Sequence, residues 1–463
     1  ASLSNNFFVS STHFGSDYYN ASGDEWVVYL FAHNAQEFGE DSDEAIIKCG
    51  TINANSPAFV EDIGFEPQWM LIKKANSTGG WHIIDTLRGS KIDKNGDHAS
   101  RSLYANSDAQ ESGESYSFGI ANKGIGAEIA DGNTYIYCAI RRSHKPASEF
   151  TADKMFKAQS LSAGEGADTF ISTGFPVDMV WTRKRTGSGP LGIGSRVQGG
   201  QKSGGDLLAH DQSAEGTNSG MFFLDHSDGA TVDFTGGHFN IAPAATDTDY
   251  IRYFFRRAAG FLDVVAYTTT PSSYSGTDVV KHNLGVAPDL IIVKNRSGTG
   301  NIWMVYNSVS GANKYMQIES SSGVSGTATW SFSSAPTATT FTTGFAYPTG
   351  THAIAYLFAS ADGISKVGGY TGNGSSQTIN CGFSAGASFV LIKRTDGSGN
   401  WYYADSARGI VAGNDPFNYM NQQYGENNSW DSIDPDNSGF IVNEDTENNL
   451  NVNGASYIFL AIA

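Results

Sequence analysis

Phe389-Val-Leu-Ile-Lys-Arg-Thr-Asp-Gly-Ser-Gly-Asn-Trp-Tyr-Tyr-Ala-Asp405 is the stretch on which the fold reading rests. A short apolar run ends in basic residues, a glycine-rich polar turn follows, and an aromatic run comes next. Runs this short, rich in β-branched and aromatic residues, fit strands better than helices. Strand, polar glycine turn and strand together read as a β-hairpin.

The same order occurs three more times. The basic-ended strands are Trp69-Met-Leu-Ile-Lys73, Met179-Val-Trp-Thr-Arg183 and Leu290-Ile-Ile-Val-Lys294. Their turns are Ser77-Thr-Gly-Gly80, Thr186-Gly-Ser-Gly189 and Ser297-Gly-Thr-Gly300. Each basic-ended strand is preceded by a Gly-Phe or Gly-Val step at Gly64, Gly174, Gly285 and Gly382, spaced 110, 111 and 97 residues apart. Before that step lies a first strand (Ile46–Thr51, Met155–Gln159, Leu262–Thr268, Ser365–Thr371). An aromatic-apolar strand closes each repeat, beginning at Tyr135, Tyr250, Ala353 and Tyr457. A fifth closing strand, Trp26–Ala32, stands without its opening half; either the polypeptide is longer, which is the favoured expectation, or the fragment packs as an atypical cap.

Self-similarity at this period marks a repeat architecture. The expectation is all-β: a tandem array of β-sandwich domains, concanavalin-like or jelly-roll-like. The boundaries are a partial repeat over 1–35, then repeats over 36–142, 143–260, 261–362 and 363–463. Short connections (Ala258–Gly260, Ser360–Gly363) suggest a fairly stiff string, in which any bend is expected at the charged, proline-containing Arg141–Asp153. Gly79, Gly80, Gly189, Gly300 and Gly399 are expected to include positive-φ residues.

A net charge of −18 and the lack of a Lys/Arg block argue against nucleic acid. No stretch approaches a membrane span, and Ala1–Ser10 lacks a signal-peptide pattern. Cys49, Cys138 and Cys381 form no metal spacing. Cys49 and Cys138 fall on first and last strands that could be neighbours, leaving a disulfide or buried free thiols open.

The Phe389–Gly409 segment, with Asp405-Ser-Ala-Arg-Gly409 and the closing Asn453–Ala463, resembles a repeat domain of unknown function in virion structural proteins of tailed phages, notably phages of marine bacteria. Gly64–Gly89 matches it well; the two middle repeats match less, having lost the Asp-Ser-x-Arg-Gly element. The resemblance implies concanavalin-like sandwiches in tail fibres or other virion appendages, hence an extracellular particle, and supplies no catalytic residues. The partners it implies are other virion proteins, further copies of the chain (a trimer fits) and a host-surface glycan or receptor. The expected role is non-enzymatic host attachment through repeated weak contacts. A purely structural head or tail decoration and a surface-polysaccharide depolymerase are the alternatives.

Asp85 with Arg88, and Asp405 with Arg408, recur at one place. The middle repeats hold Ser195 and Asn307 there, which can cap a turn but not replace a catalytic carboxylate. The reading is therefore structural. Trp401, Tyr402 and Tyr403 are either core or glycan-stacking residues, since alternation sends successive side chains to opposite faces. Trp330, among small polar residues in the Ser320–Ser334 loop, is a further stacking candidate. That loop and Gly199–Gly220 are the expected recognition loops. Asp434, Asp436 and Ser438, with Asp445, imitate part of a calcium loop without its bidentate glutamate; a polar turn explains them equally. No cofactor is expected, calcium being the one ion this pattern would admit.

Overall fold

Alternation carries over into paired strands throughout the computed structural model. It describes residues 25, 29–33, 45–56, 59–93, 95–113, 115, 117–143, 145–161, 169–199, 208–209, 222–232, 250–269, 277–296, 302–326, 332–344, 350–444 and 447–463. Two units are distinguished, Ala1–Ile47 and Lys48–Ala463. Few residues of the first are described; apart from Ile47, the described strand residues lie in the second.

In the last repeat, a five-stranded sheet runs in the order Ser365–Thr371, Ser456–Ile462, Phe389–Arg394, Tyr402–Asp405, Phe417–Tyr419. A second sheet runs Gln377–Asn380, Gly439–Val442, Ile433–Asp436. The closing strand thus lies between the first strand and the basic-ended one, all pairings being antiparallel. The large sheets elsewhere keep this order: Phe156–Leu161, Tyr250–Phe255, Met179–Lys184, Gly192–Ser195, Leu208–Ala209 in the second repeat, and Leu262–Thr268, His352–Phe358, Leu290–Asn295, Trp303–Asn307, Lys314–Gln317, Ser325–Gly326 in the third. In the first it is Ile47–Asn53, Thr134–Arg141, Pro67–Lys74, Trp81–Asp85, Leu103–Tyr104. Cys49 and Cys138 therefore occupy neighbouring strands; both are half-buried and not joined in a disulfide, and Cys381 is buried.

Positive φ falls at the Gly-Phe and Gly-Val steps and not where the hairpin reading put it. Gly64, Gly174, Gly285 and Gly382 have φ of 87°, 77°, 77° and 77°. There the chain leaves the small sheet for the large one, and a side chain of Asp62 or Asn380 accepts the glycine N–H at 2.8 Å. Gly79, Gly80, Gly189 and Gly399 are not left-handed, and Gly300 lies outside the described residues. A Cβ on Gly399 would instead lie 3.0 Å from Cβ of Arg394, so close approach across the hairpin mouth explains glycine there.

The repeats are consecutive, but the last three are not strung out. One core takes Met179, Trp181, Tyr253 and Phe255 from the second repeat, Leu290, Ile292, Trp303 and Phe358 from the third, and Phe389, Leu391, Tyr403 and Leu460 from the fourth. Trp181 lies 6.1 Å from Phe358 and 6.0 Å from Phe389, ring centre to ring centre, so one indole meets both other repeats. The opposite face of the fourth repeat's large sheet (Val390, Ile392, Tyr402, Ala404) packs with Phe440 and Val442 of its small sheet. Both faces are apolar because both are covered.

The first repeat joins this body through ion pairs. Arg257 is clamped between Glu66 (2.7 Å) and Asp263 (2.6 Å), and Asp178 meets Arg142 (3.0 Å) and Arg196 (3.3 Å). The segment after Arg142 is held too, the Ala147 N–H donating to the Ala259 carbonyl at 2.7 Å. Burial alone would raise the Asp178 and Asp263 carboxyls; the facing guanidiniums outweigh it and hold both below the usual range.

Both the core and the joint can be probed by substitution. Trp181→Ala is expected to cost about 3–5 kcal/mol and to move repeats two to four together in a calorimetric scan; displacement of one repeat's transition alone would contradict the shared core. The depressed carboxyls stabilise fully above their unfolded pKa of about 3.9 and lose that contribution as pH falls through the lower folded values. Asp263→Asn is expected to cost about 3–5 kcal/mol at pH 7 and to flatten the acid dependence of the urea midpoint. An unchanged midpoint at pH 7 would show that the joint does not stabilise.

Candidate binding site

Asp405 and Arg408 form a buried turn. The Arg408 N–H donates to Asp405 Oδ1 at 2.9 Å and its Nε to Oδ2 at 2.6 Å. Asp85 accepts the Leu87 and Arg88 N–H groups in the same way and pairs with the Arg88 guanidinium. Asn307 caps its turn through the Ser310 N–H at 2.7 Å, and the Ser195 hydroxyl donates to Gln198 at 2.8 Å. Asp, Asn and Ser thus serve one turn-forming purpose at this position.

In the fourth repeat the element also grips another repeat. Tyr253 of the second donates its hydroxyl to Asp405 Oδ2 at 2.8 Å. Burial pushes the Tyr253 phenol well above its ordinary value, so it stays a donor. Around Asp85 and Arg88 there is instead an open cleft of about 570 Å³, bordered by Trp69, Arg101, Glu111 and Asp225.

The expected stacking residues are not available to a ligand. Trp401, Tyr402 and Tyr403 are 1%, 0% and 1% exposed. Alternation does send them to opposite faces, but the shared core covers one face and the small sheet the other. The Trp401 indole N–H is taken by the Gln317 carbonyl at 2.8 Å. Trp330 lies outside the described residues, as does most of Gly199–Gly220. Part of Ser320–Ser334 is an inter-repeat contact, the Val324 N–H donating to the Thr395 carbonyl at 2.7 Å.

Asp434, Asp436 and Ser438 lie on a hairpin. Asp436 Oδ1 accepts both the Ser438 N–H (2.8 Å) and its hydroxyl (2.6 Å), and Asp434 accepts Asn443 (2.9 Å). Asp445 lies outside the described residues. A tight polar turn accounts for the three that are described.

Two exposed aromatics lie on the loop after Phe417–Tyr419. Tyr424 is 70% and Trp430 is 40% exposed, with exposed Asn427, Asn428, Ser429 and Asp431 around them. Beside Tyr424 is a cleft of about 350 Å³ lined by Phe417, Tyr419, Asn427, Asn428 and Ser429. Glu426 fixes the loop, receiving both arms of Arg185 at 2.8 and 2.9 Å, and Arg408 at 3.2 Å. Burial works against that carboxylate, but Arg185 and Arg408 outweigh it and hold it below the usual range. A loop clamped in this way loses little entropy when it binds. The sequence signal was an aromatic among small polar residues, the criterion that selected Trp330.

A family model described as "Domain of unknown function (DUF7483)" matches residues 2–143 and 151–463. No curated protein matches the chain. No solved structure matches it.

The grip between repeats is measurable. A double-mutant cycle with Tyr253→Phe and Asp405→Asn should give a coupling of about 1.5–3 kcal/mol, as for a hydrogen bond to a charged group. Additive effects would mean that the two repeats do not meet there in solution.

Proposed function

The chain belongs to the DUF7483 family, and we propose that it is a non-enzymatic structural protein of a phage virion, a tail-fibre or spike-type appendage that helps attach the particle to the host surface. The virion setting rests on the resemblance of Phe389–Gly409 and Asn453–Ala463 to repeats of tailed-phage structural proteins. The attachment role rests on one observation above all: Tyr424 and Trp430 stand exposed among amide, hydroxyl and carboxylate groups on an ion-paired loop. The apolar face of a sugar ring packs on an indole or phenol, while its hydroxyls bond to neighbouring polar groups.

A single site of this kind binds weakly. Attachment then comes from several copies of the chain engaging one surface, with avidity set by their spacing. The acidic surface of the chain, with its net charge of −18, favours neutral or cationic glycans over strongly anionic ones.

The test is adsorption of the full chain to host cells and to a glycan array, before and after Trp430→Ala and Tyr424→Ala. Each substitution is expected to weaken binding about fivefold or more, the scale of one lost aromatic contact. Undiminished binding by both folded variants would remove this loop from the site. Absence of the chain from purified particles, probed with antibody, would overturn the virion reading itself.

A further inference from the structure

Repeats two, three and four close on one another in a ring, and the same contact is made at successive joints. The Gly399 N–H of the fourth repeat donates to the Ser321 carbonyl of the third at 2.9 Å. The Gly189 N–H of the second donates to the Gln423 carbonyl of the fourth at 2.8 Å. In both cases the loop after the fifth strand of one repeat lies on the glycine turn of the next. The loops are equivalent: Asn421 and Glu319 each accept the N–H of the tryptophan that follows the turn, Trp401 at 3.0 Å and Trp303 at 2.9 Å. Each lies two residues before the carbonyl that reaches across. Such head-to-tail contacts can close a ring; the glycine turn of the third joint lies outside the described residues, and there the second and third repeats meet through Trp181 on Phe358 and through the Tyr356 hydroxyl, which donates to Gln198 at 3.3 Å.

The first repeat carries every part of this contact and stands outside the ring. Asn106 accepts the Trp81 N–H at 2.8 Å, so Asp108 occupies the place of Ser321 and Gln423. Lys73 Nζ donates to the Gly79 carbonyl at 2.8 Å, as Lys393 does to Gly399 at 2.6 Å; Lys393 also reaches Ser321 of the neighbouring repeat. Both the turn (75–79) and the loop (105–110) are exposed.

The sheet face agrees. Trp69, Leu71 and Ile140 share the register of Phe389, Leu391 and Ile462. The fourth-repeat residues are at most 1% exposed inside the shared core. Trp69, Leu71, Ile83 and Ile140 are only half-buried, and Ile136 is 40% exposed, although Met70, Ile72 and Ile84 on the other face are buried in their own sandwich. Asp85 and Arg88, with Trp69 beside them, line an open cleft bordered by Asp225 of the second repeat, whereas the equivalent Asp405 is bonded by Tyr253 of a sister repeat.

We propose that three copies of this chain join through their first repeats. Each copy turns the Trp69–Leu71–Ile136 face to a common axis and lays its 105–110 loop on the glycine turn of the next. This repeats between chains the closure that repeats two to four make within one. The internal ring identifies the occupant: in the sister repeats, what covers this face is two more sheets of the same kind. The inference does not depend on what the appendage binds.

Sedimentation velocity of the full chain tests it. A trimer is expected, with Leu71→Arg, which places a charge at the axis, shifting it to monomer. Thr78→Trp serves as a second variant. It sits on the exposed turn, where Ser188 and Ser398 approach the neighbouring loop at 3.1 and 3.4 Å, and leaves the sheet untouched. It should raise the trimer dissociation constant at least tenfold with the melting of repeats two to four unchanged. A monomeric or dimeric wild-type chain would overturn the proposal. So would a trimer that survives both substitutions.

Discussion

A sheet whose two faces are both apolar needs two covers, and the rest of this structure depends on that need. Residues of Phe389–Arg394 point alternately to two sides, and Phe389, Val390, Leu391 and Ile392 are all apolar and buried. The small sheet of the same repeat can cover only one side. Leaving Leu391, Tyr403 and Leu460 in water would forfeit about 25 cal/mol for each square ångström left uncovered. Two sister repeats with the same problem supply the second cover, and three sheets enclose a single core. The large aromatics Trp181, Trp303 and Trp401 sit at 1% exposure within it.

Polar chemistry then sets the arrangement of the repeats, because apolar contact has little directional preference. Tyr253 on Asp405, Tyr356 on Gln198 at 3.3 Å, and the glycine-turn hydrogen bonds recur at the joints and hold the register. The Glu66–Arg257–Asp263 cluster does the same between the first three repeats. Removing one member of such a cluster leaves a buried charge unmatched, which makes a slipped arrangement costly. One consequence bears on function: the loop carrying Tyr424 and Trp430 is fastened by Arg185 of a different repeat, so its shape depends on the whole ring and not on one sandwich.

Much of this was legible in the residues. Strand class, the order of elements within a repeat, the neighbouring placement of Cys49 and Cys138, and the turn role of Asp85 and Asp405 all come from alternation and from side chains that bond their own backbone. The shared core was the blind spot. Leu290-Ile-Ile-Val reads the same whether a small sheet and a sister repeat cover it or two small sheets do, so periodicity could not reveal the second partner. The same ambiguity left Trp401, Tyr402 and Tyr403 open as stacking residues. Glycine misled in a different way: Gly399 answers to a close approach and not to a left-handed φ, which falls at Gly382. Tyr424 and Trp430 carried a usable signal in their Asn- and Ser-rich surroundings.

Amide hydrogen exchange of the intact chain tests the shared core most directly. If three sheets share it, Met179–Lys184, Leu290–Asn295 and Phe389–Arg394 cannot open one at a time, since opening any of them exposes the others. These three strands should then exchange with one common opening free energy and respond equally to denaturant. Three distinct opening free energies, each confined to its own repeat, would contradict a shared core.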